Sequence, residues 1–181
     1  RFKYFFHMSQ DGADAMKNLY NFFSDKNPKY TNYFKVFSGC SDKNLCNPVI
    51  LIFDNELSNK CKPLHSFVSH IELSSSDKDK LKEDLCMKII DEGNLFLVTN
   101  QLVDGKAECE IEDLFDETTR NHVIAGKTFS SNDKADKEKH YGKEIFANFI
   151  QSNYKSINFD NFRQMLNNIV KVIAEFAGTE G

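Results

Sequence analysis

Five successive apolar residues, Val49-Ile50-Leu51-Ile52-Phe53, run between Pro48 and the polar triplet Asp54-Asn55-Glu56. An unbroken run of this length, rich in β-branched residues, predicts a strand buried on both faces, and therefore a parallel or mixed sheet covered by helices. Asn94-Leu95-Phe96-Leu97-Val98-Thr99 predicts a second strand of the same kind. Between them, Pro63 suits the first turn of a helix over residues 63–71. Ser74-Ser75-Ser76-Asp77 supplies caps for a second helix carrying Leu81, Leu85, Ile89 and Ile90 and ending near Gly93. Strand, helix, helix, strand is the order of a right-handed α/β crossover.

Upstream, the pattern predicts a short strand over residues 3–8 and a turn at Gln10-Asp11-Gly12. A helix follows over residues 13–23, with Leu19, Phe22 and Phe23 on one face. Residues 33–37 alternate apolar and polar and predict another strand, followed by a polar loop over 38–47. Downstream, Asp104-Gly105 marks a turn. The acidic block from Glu108 to Glu117 carries the apolar stripe Ile111, Leu114 and Phe115 and predicts a short helix. Residues 130–139 are polar and charged and read as a mobile loop. Two helices close the chain. The first, over residues 143–153, carries Ile145, Phe146, Phe149 and Ile150; the second, over residues 160–177, carries Phe162, Leu166, Ile169, Val170 and Ile173. With no internal repeat and no dividing linker, the expectation is one α/β domain over residues 1–181, with a mostly parallel central sheet flanked by helices.

Composition narrows the functional classes. A net charge of −4 argues against a non-specific coat on nucleic acid, yet leaves room for a metal-centred site that meets phosphate through bound cations. The five cysteines, Cys40, Cys46, Cys61, Cys86 and Cys109, show no CxxC spacing and read as free intracellular thiols. No signal peptide is visible, and no apolar span approaches the ~20 residues a membrane helix needs. The chain begins at Arg1 and already alternates basic and aromatic residues there, so it is expected to be a piece of something longer.

The candidate chemistry is acidic. Asp54 and Glu56 follow a predicted strand at the end where open α/β sheets place their ligands, and alternate residues of an extended chain point the same way. Such an oxygen-rich pair suits Mg²⁺ or Mn²⁺. The competing reading is a turn after a strand, where Asp-Asn bonds its own backbone. Glu112, flanked by apolar residues, is the candidate third acid for metal-assisted phosphoryl chemistry; on its residues alone it also reads as part of a solvated acidic helix. Lys143 opens a helix, where a cation is slightly disfavoured by the macrodipole, and is a candidate for stabilising phosphate charge. Its bland reading is an exposed lysine. His7, His65, His70 and His122 lack metal-ligand spacing and read as structural or surface residues. No Walker or Rossmann glycine loop and no nucleophile elbow is present, which argues against motors, dinucleotide enzymes and serine hydrolases.

Four stretches in order carry a family resemblance: residues 47–56, residues 94–99, Glu110-Ile111-Glu112-Asp113-Leu114-Phe115, and Tyr141-Gly142-Lys143-Glu144-Ile145-Phe146-Ala147. Together they resemble a Toprim domain, the metal-binding α/β module of topoisomerases, primases and nucleases of the overcoming-lysogenization-defect type. More closely, the chain is similar to the Toprim-like region fused to the reverse transcriptases of some retrons, bacterial antiphage elements. Asp54 and Glu56 occupy the two places of the family's Asp-x-Asp motif, with one added methylene. Glu112 matches the acid of the nuclease branch and Lys143 its later lysine. The family's first motif, an early Glu followed by Gly, is not found.

The resemblance implies a Toprim or Rossmann-like fold and a nuclease effector of a retron reverse transcriptase. Mg²⁺ or Mn²⁺ would be held by Asp54, Glu56 and Glu112, with Glu112 and Lys143 as catalytic residues. Its implied partners are the reverse transcriptase portion, the multicopy single-stranded DNA with attached RNA, a nucleic-acid substrate and, for an oligomer, a second copy, all in the bacterial cytoplasm. The missing first acid motivates the alternative of a non-catalytic domain that docks on the reverse transcriptase. A third reading, a phosphohydrolase or receiver-like domain, lacks the early acidic pair that receivers need.

Overall fold

The computed structural model describes residues 13–40, 47–90, 93–132 and 134–178. The strand expected over 3–8, the turn at 10–12, and His7 and Cys46 lie outside them.

The helix expected from residue 13 is α1, Ala13–Asn21. Helix α2 spans Tyr33–Cys40, where the alternation predicted a strand. Tyr33 and Phe37 fit both readings, being alternate and also four apart. As a helix they stack, with ring centroids 5.8 Å apart, and Tyr33 also stacks on Phe22 at 5.3 Å. The two expected core strands are β1, Val49–Phe53, and β3, Leu95–Thr99, and they pair in parallel with Val49 opposite Leu95. Between them lie α3, Pro63–His70, and α4, Ser75–Asp84, the latter capped by Ser74, whose hydroxyl accepts the Asp77 N–H.

Helix α4 stops earlier than its apolar spacing predicted. Leu85 takes a left-handed conformation (φ 58°), and Cys86–Lys88 forms a strand, β2, antiparallel to β3. A buried central strand needs partners on both edges for its N–H and C=O groups, and that demand outweighs helical continuation through Ile89 and Ile90. The sheet order is β1-β3-β2, so the sheet is mixed, and β1 is an edge strand among the described residues.

Each face of this sheet is covered by its own core. Leu51, Phe53, Leu95 and Leu97 pack with Leu19, Leu64 and Phe67 from α1 and α3. Phe96 and Val98 pack on the opposite side against the C-terminal elements. Those begin with a 3₁₀ turn, Ile111–Leu114, inside the acidic block where a short helix was expected, and a short α5, Glu117–Arg120, that starts at the block's last residue. A parallel ribbon of β4, Thr128–Phe129, and β5, His140–Tyr141, follows. Helix α6, Lys143–Asn153, and a second 3₁₀ turn, Asp160–Phe162, lead into α7, Arg163–Gly178, close to the predicted closing helices.

The central strand β3 is buried along its whole length, whereas β1 is not: Ile52 is 43% exposed. The expectation that both strands are buried on both faces therefore holds for β3 and fails for β1. Among the described residues no helix is long and apolar enough to cross a membrane. Cys40, Cys61, Cys86 and Cys109 are all free thiols.

Candidate functional site

Two buried amides tie the end of β1 to the end of β3 and to the acidic segment. Asn55 pairs with Cys109 in an antiparallel bridge, its N–H donating to the Cys109 carbonyl at 2.9 Å and its carbonyl accepting in return at 3.0 Å. Asn100 accepts the Asn55 N–H through Oδ1 at 2.9 Å and donates Nδ2 to the Cys109 carbonyl at 3.1 Å. Asn55 Nδ2 donates back to the Asn100 carbonyl at 2.9 Å. Buried polar groups satisfied in this way specify one arrangement. That arrangement holds the chain after Cys109 against the carboxyl end of β1.

The acids follow from that clamp. Glu110 opens the 3₁₀ turn in a reciprocal cap with Asp113, and the next residue, Ile111, donates its N–H to Asp54 Oδ1 at 2.8 Å. After Asp54 the chain turns instead of staying extended, with the Glu56 N–H donating to the Asp54 carbonyl at 3.0 Å. Asp54 and Glu56 consequently enter one cluster but take different partners.

Glu56 is 3% exposed, and its Oε1 accepts from Lys62 Nζ at 2.6 Å. Lys62 reaches on to Glu110 Oε1 at 3.4 Å. Lys143 Nζ lies 3.1 Å from Glu110 Oε2 and 3.1 Å from Glu112 Oε2. The result is a continuous chain, Glu56–Lys62–Glu110–Lys143–Glu112, with Asp54 coupled to it through space. Lys62 is the N-cap residue of α3 and Lys143 the first residue of α6. Each ammonium thus sits at a helix N-terminus, where the macrodipole opposes it, and the carboxylates beside it offset that cost.

The titration behaviour follows this geometry. Burial pushes the Asp54 carboxyl above its ordinary value; the Ile111 N–H and the Lys143 charge oppose that, while Glu56 and Glu110 add to it. Burial also works upward on Glu110, but the hydrogen bond and charge of Lys143, with Ser131 and Lys62, outweigh it and hold Glu110 low. Lys62 is held high by its bond to Glu56. Burial works downward on Lys143, yet Glu112 and Glu110 outweigh it and hold Lys143 high as well.

All four residues singled out in the sequence, Asp54, Glu56, Glu112 and Lys143, belong to this cluster. Glu110 and Lys62 were missed. The signal for Lys62 was the one that drew attention to Lys143, a cation at a helix start. The signal for Glu110 was its place two residues before Glu112 in the same acidic block. The histidines stand apart: His70 Nε2 contacts Asn21 Oδ1 at 3.2 Å, and His122 stacks on Phe149 with centroids 4.2 Å apart.

The donor set suits a hard divalent cation in kind, being all oxygen, and in charge. Counted at formal charge, the four carboxylates outnumber the two ammonium groups by two among the described residues. As the side chains stand, no three His, Cys, Asp or Glu residues among the described ones are grouped to hold a metal ion. The carboxylates are gathered on ammonium groups instead. Beside Asp54 a cleft of about 320 Å³ opens at the edge of β1, walled by Met16, Ile52, Pro63, Ile111 and Met165. No family model matches this chain, and no solved structure matches it significantly.

Proposed function

We propose that this chain is a metal-dependent nuclease domain with a Toprim-like, Rossmann-related fold, serving as the effector of a bacterial retron reverse transcriptase. The carrying observation is that Asp54 and Glu56, Glu112, and Lys143, from three separate stretches of sequence, meet in one charge-deficient cluster at the end of β1. The parallel β1–β3 pair, connected through α3 and α4, agrees with the proposed fold. Mg²⁺ or Mn²⁺ would be held by Asp54, Glu56 and Glu112, neutralising phosphate charge and lowering the pKa of a bound water. The chain's own contribution is to hold these oxygens in place through the Asn55–Asn100 clamp and to present Lys143 beside them to the phosphate. The partners are the reverse transcriptase portion and its multicopy single-stranded DNA with attached RNA, and the compartment is the bacterial cytoplasm.

Calorimetric titration with Mn²⁺, comparing the parent with Asp54→Ala and Glu56→Ala, tests the reading, followed by cleavage assays on DNA and RNA. Binding by the parent and loss in both variants is expected. A folded parent that binds no metal and cuts no nucleic acid would refute it.

A second reading, a non-catalytic docking domain, has its own observation. Leu166, Val170 and Ile173 are 51, 64 and 48% exposed along one stripe of α7, a face with no intramolecular cover among the described residues. Metal-independent thermal stability together with reverse-transcriptase binding lost on substitution of that stripe would favour this reading.

A further inference from the structure

We propose that the outer edge of β1 and the apolar cleft beside it are a docking surface, and that its occupant is the chain's own segment Arg1–Met8, which lies outside the described residues.

Val49 donates its N–H to the Asn94 carbonyl at 2.7 Å, and the parallel register continues from there to Phe53 opposite Thr99. Alternation along the strand therefore turns the N–H and C=O groups of Ile50 and Ile52 to the other edge. Among the described residues no strand pairs with that edge. Such a row of peptide groups is a template for one more strand. The side chains agree with this, because Ile52 is 43% exposed although it lies in the sheet. The cleft of about 320 Å³ is walled by Met16 and Phe53 of one core and by Met165 of the other, so it spans the edge itself.

The choice of occupant follows from where the chain enters. Met16 in α1 and Pro63 at the start of α3 both line the cleft with Asp54, so both helices begin at the carboxyl end of β1. The residues before Ala13 set out from that point. A segment running back from it along the edge has the chain direction of β1. With α1 on the same face as α3, it joins β1 through a crossover of the same hand as β1–α3–β3. Residues 3–8, if extended, span about 20 Å, enough to cover the five residues of β1.

The composition of the segment fits the surface. Phe2, Tyr4, Phe5, Phe6 and Met8 are apolar, Arg1 and Lys3 are its charged residues, and no acid is present to repel the carboxylates around Asp54. Residues 41–46, Ser-Asp-Lys-Asn-Leu-Cys, have too few apolar side chains to compete, and the other stretches outside the described residues are three residues or shorter.

Amide exchange on the full chain, read residue by residue by NMR, tests this. The Ile50 and Ile52 amides are expected to be protected as those of β3 are, with nuclear Overhauser contacts between residues 3–8 and Val49–Phe53. Tyr4→Pro and Phe5→Pro are then compared. Of two neighbouring residues in a strand one faces the ladder, so at least one variant should lose the protection at Ile50 and Ile52 while β3 keeps its own. Free exchange at Ile50 and Ile52 in the parent, with β3 protected, would overturn the proposal, because the edge would then be open. Protection that survives both substitutions would overturn it as well, and a fall of that protection on dilution would assign the edge to a second copy. If a proline variant unfolds, the Overhauser contacts of the parent decide: their presence supports the proposal and their absence overturns it.

Discussion

Two clusters of charge flank the same 3₁₀ turn. On one side Asp113 accepts from Lys106 at 2.6 Å and from Arg120 at 3.2 Å, and Arg120 also approaches Asp104 at 3.8 Å. Two acids meet two bases there, and the group is complete. On the other side Glu56, Glu110 and Glu112 share Lys62 and Lys143, with Asp54 coupled to Lys143 through space. The neutral cluster pins the turn to the body of the protein and has no charge left to offer a ligand. The other cluster, sitting where β1 ends and a cleft opens, has two more carboxylates than ammonium groups among the described residues. Both are ion-pair networks, one with three contacts and the other with four, so the number of salt bridges does not distinguish them; the charge left over does.

The contrast breaks most visibly under substitution on the two sides. Asp54→Ala or Glu56→Ala should abolish Mn²⁺ binding in calorimetry, a loss of roughly a hundredfold or more for a site losing one of its few oxygen ligands. Arg120→Met, on the neutral side, should leave the Mn²⁺ affinity unchanged while costing roughly 1–2 kcal/mol of stability in urea denaturation, because Asp113 keeps Lys106. Metal linkage gives the next largest effect. At a hundredfold excess over its dissociation constant, Mn²⁺ should stabilise the parent by about 2.7 kcal/mol, and Arg120→Met by the same increment.

The pH dependence sharpens the comparison further. Because burial raises the Asp54 carboxyl above its ordinary value of 3.8, the folded state retains a proton that the unfolded chain releases. Its contribution to stability therefore falls as pH rises through that window. Asp54→Asn, which keeps an oxygen for the Ile111 N–H, should accordingly be more stable than the parent at pH 7 without metal, with the difference vanishing below pH 3.8. Glu110 runs the other way. Held below its ordinary 4.5, it stabilises at higher pH, and that contribution is lost as pH falls through its lowered value. The smallest expected effect concerns α7. Val170→Lys should shift the stability of the isolated chain by no more than about 0.5 kcal/mol, and a loss of reverse-transcriptase binding in the same variant would credit the docking reading.

Much of this was legible along the chain. Both core strands, α1, α3 and the two closing helices came from periodicity and caps, and these signals are local. Residues 33–37 failed because five residues satisfy a period of two and an i,i+4 pair equally well, and stacking on Phe22 decided for the helix. The helix through Ile90 failed because its continuation competes with strand pairing to β3, a contact that sequence spacing does not contain. For the site, Glu112 was found through its apolar flanks, whereas Glu110, just outside that setting, was not singled out.

By itself the sequence determined that Val49–Phe53 and Leu95–Thr99 are strands, that acids follow the first of them, and that Lys143 starts a helix, since each depends on neighbours within a few positions. Only the tertiary structure decided that β1 is an edge strand among the described residues, that Asp54 and Glu56 turn to different partners, and that Lys62 and Glu110 join the cluster. The reason is physical. Periodicity reports which face of an element leaves water, but the balance of charge at a point depends on which elements meet there. That meeting is set by the Asn55–Asn100 clamp and the packing of distant segments on both faces of the sheet.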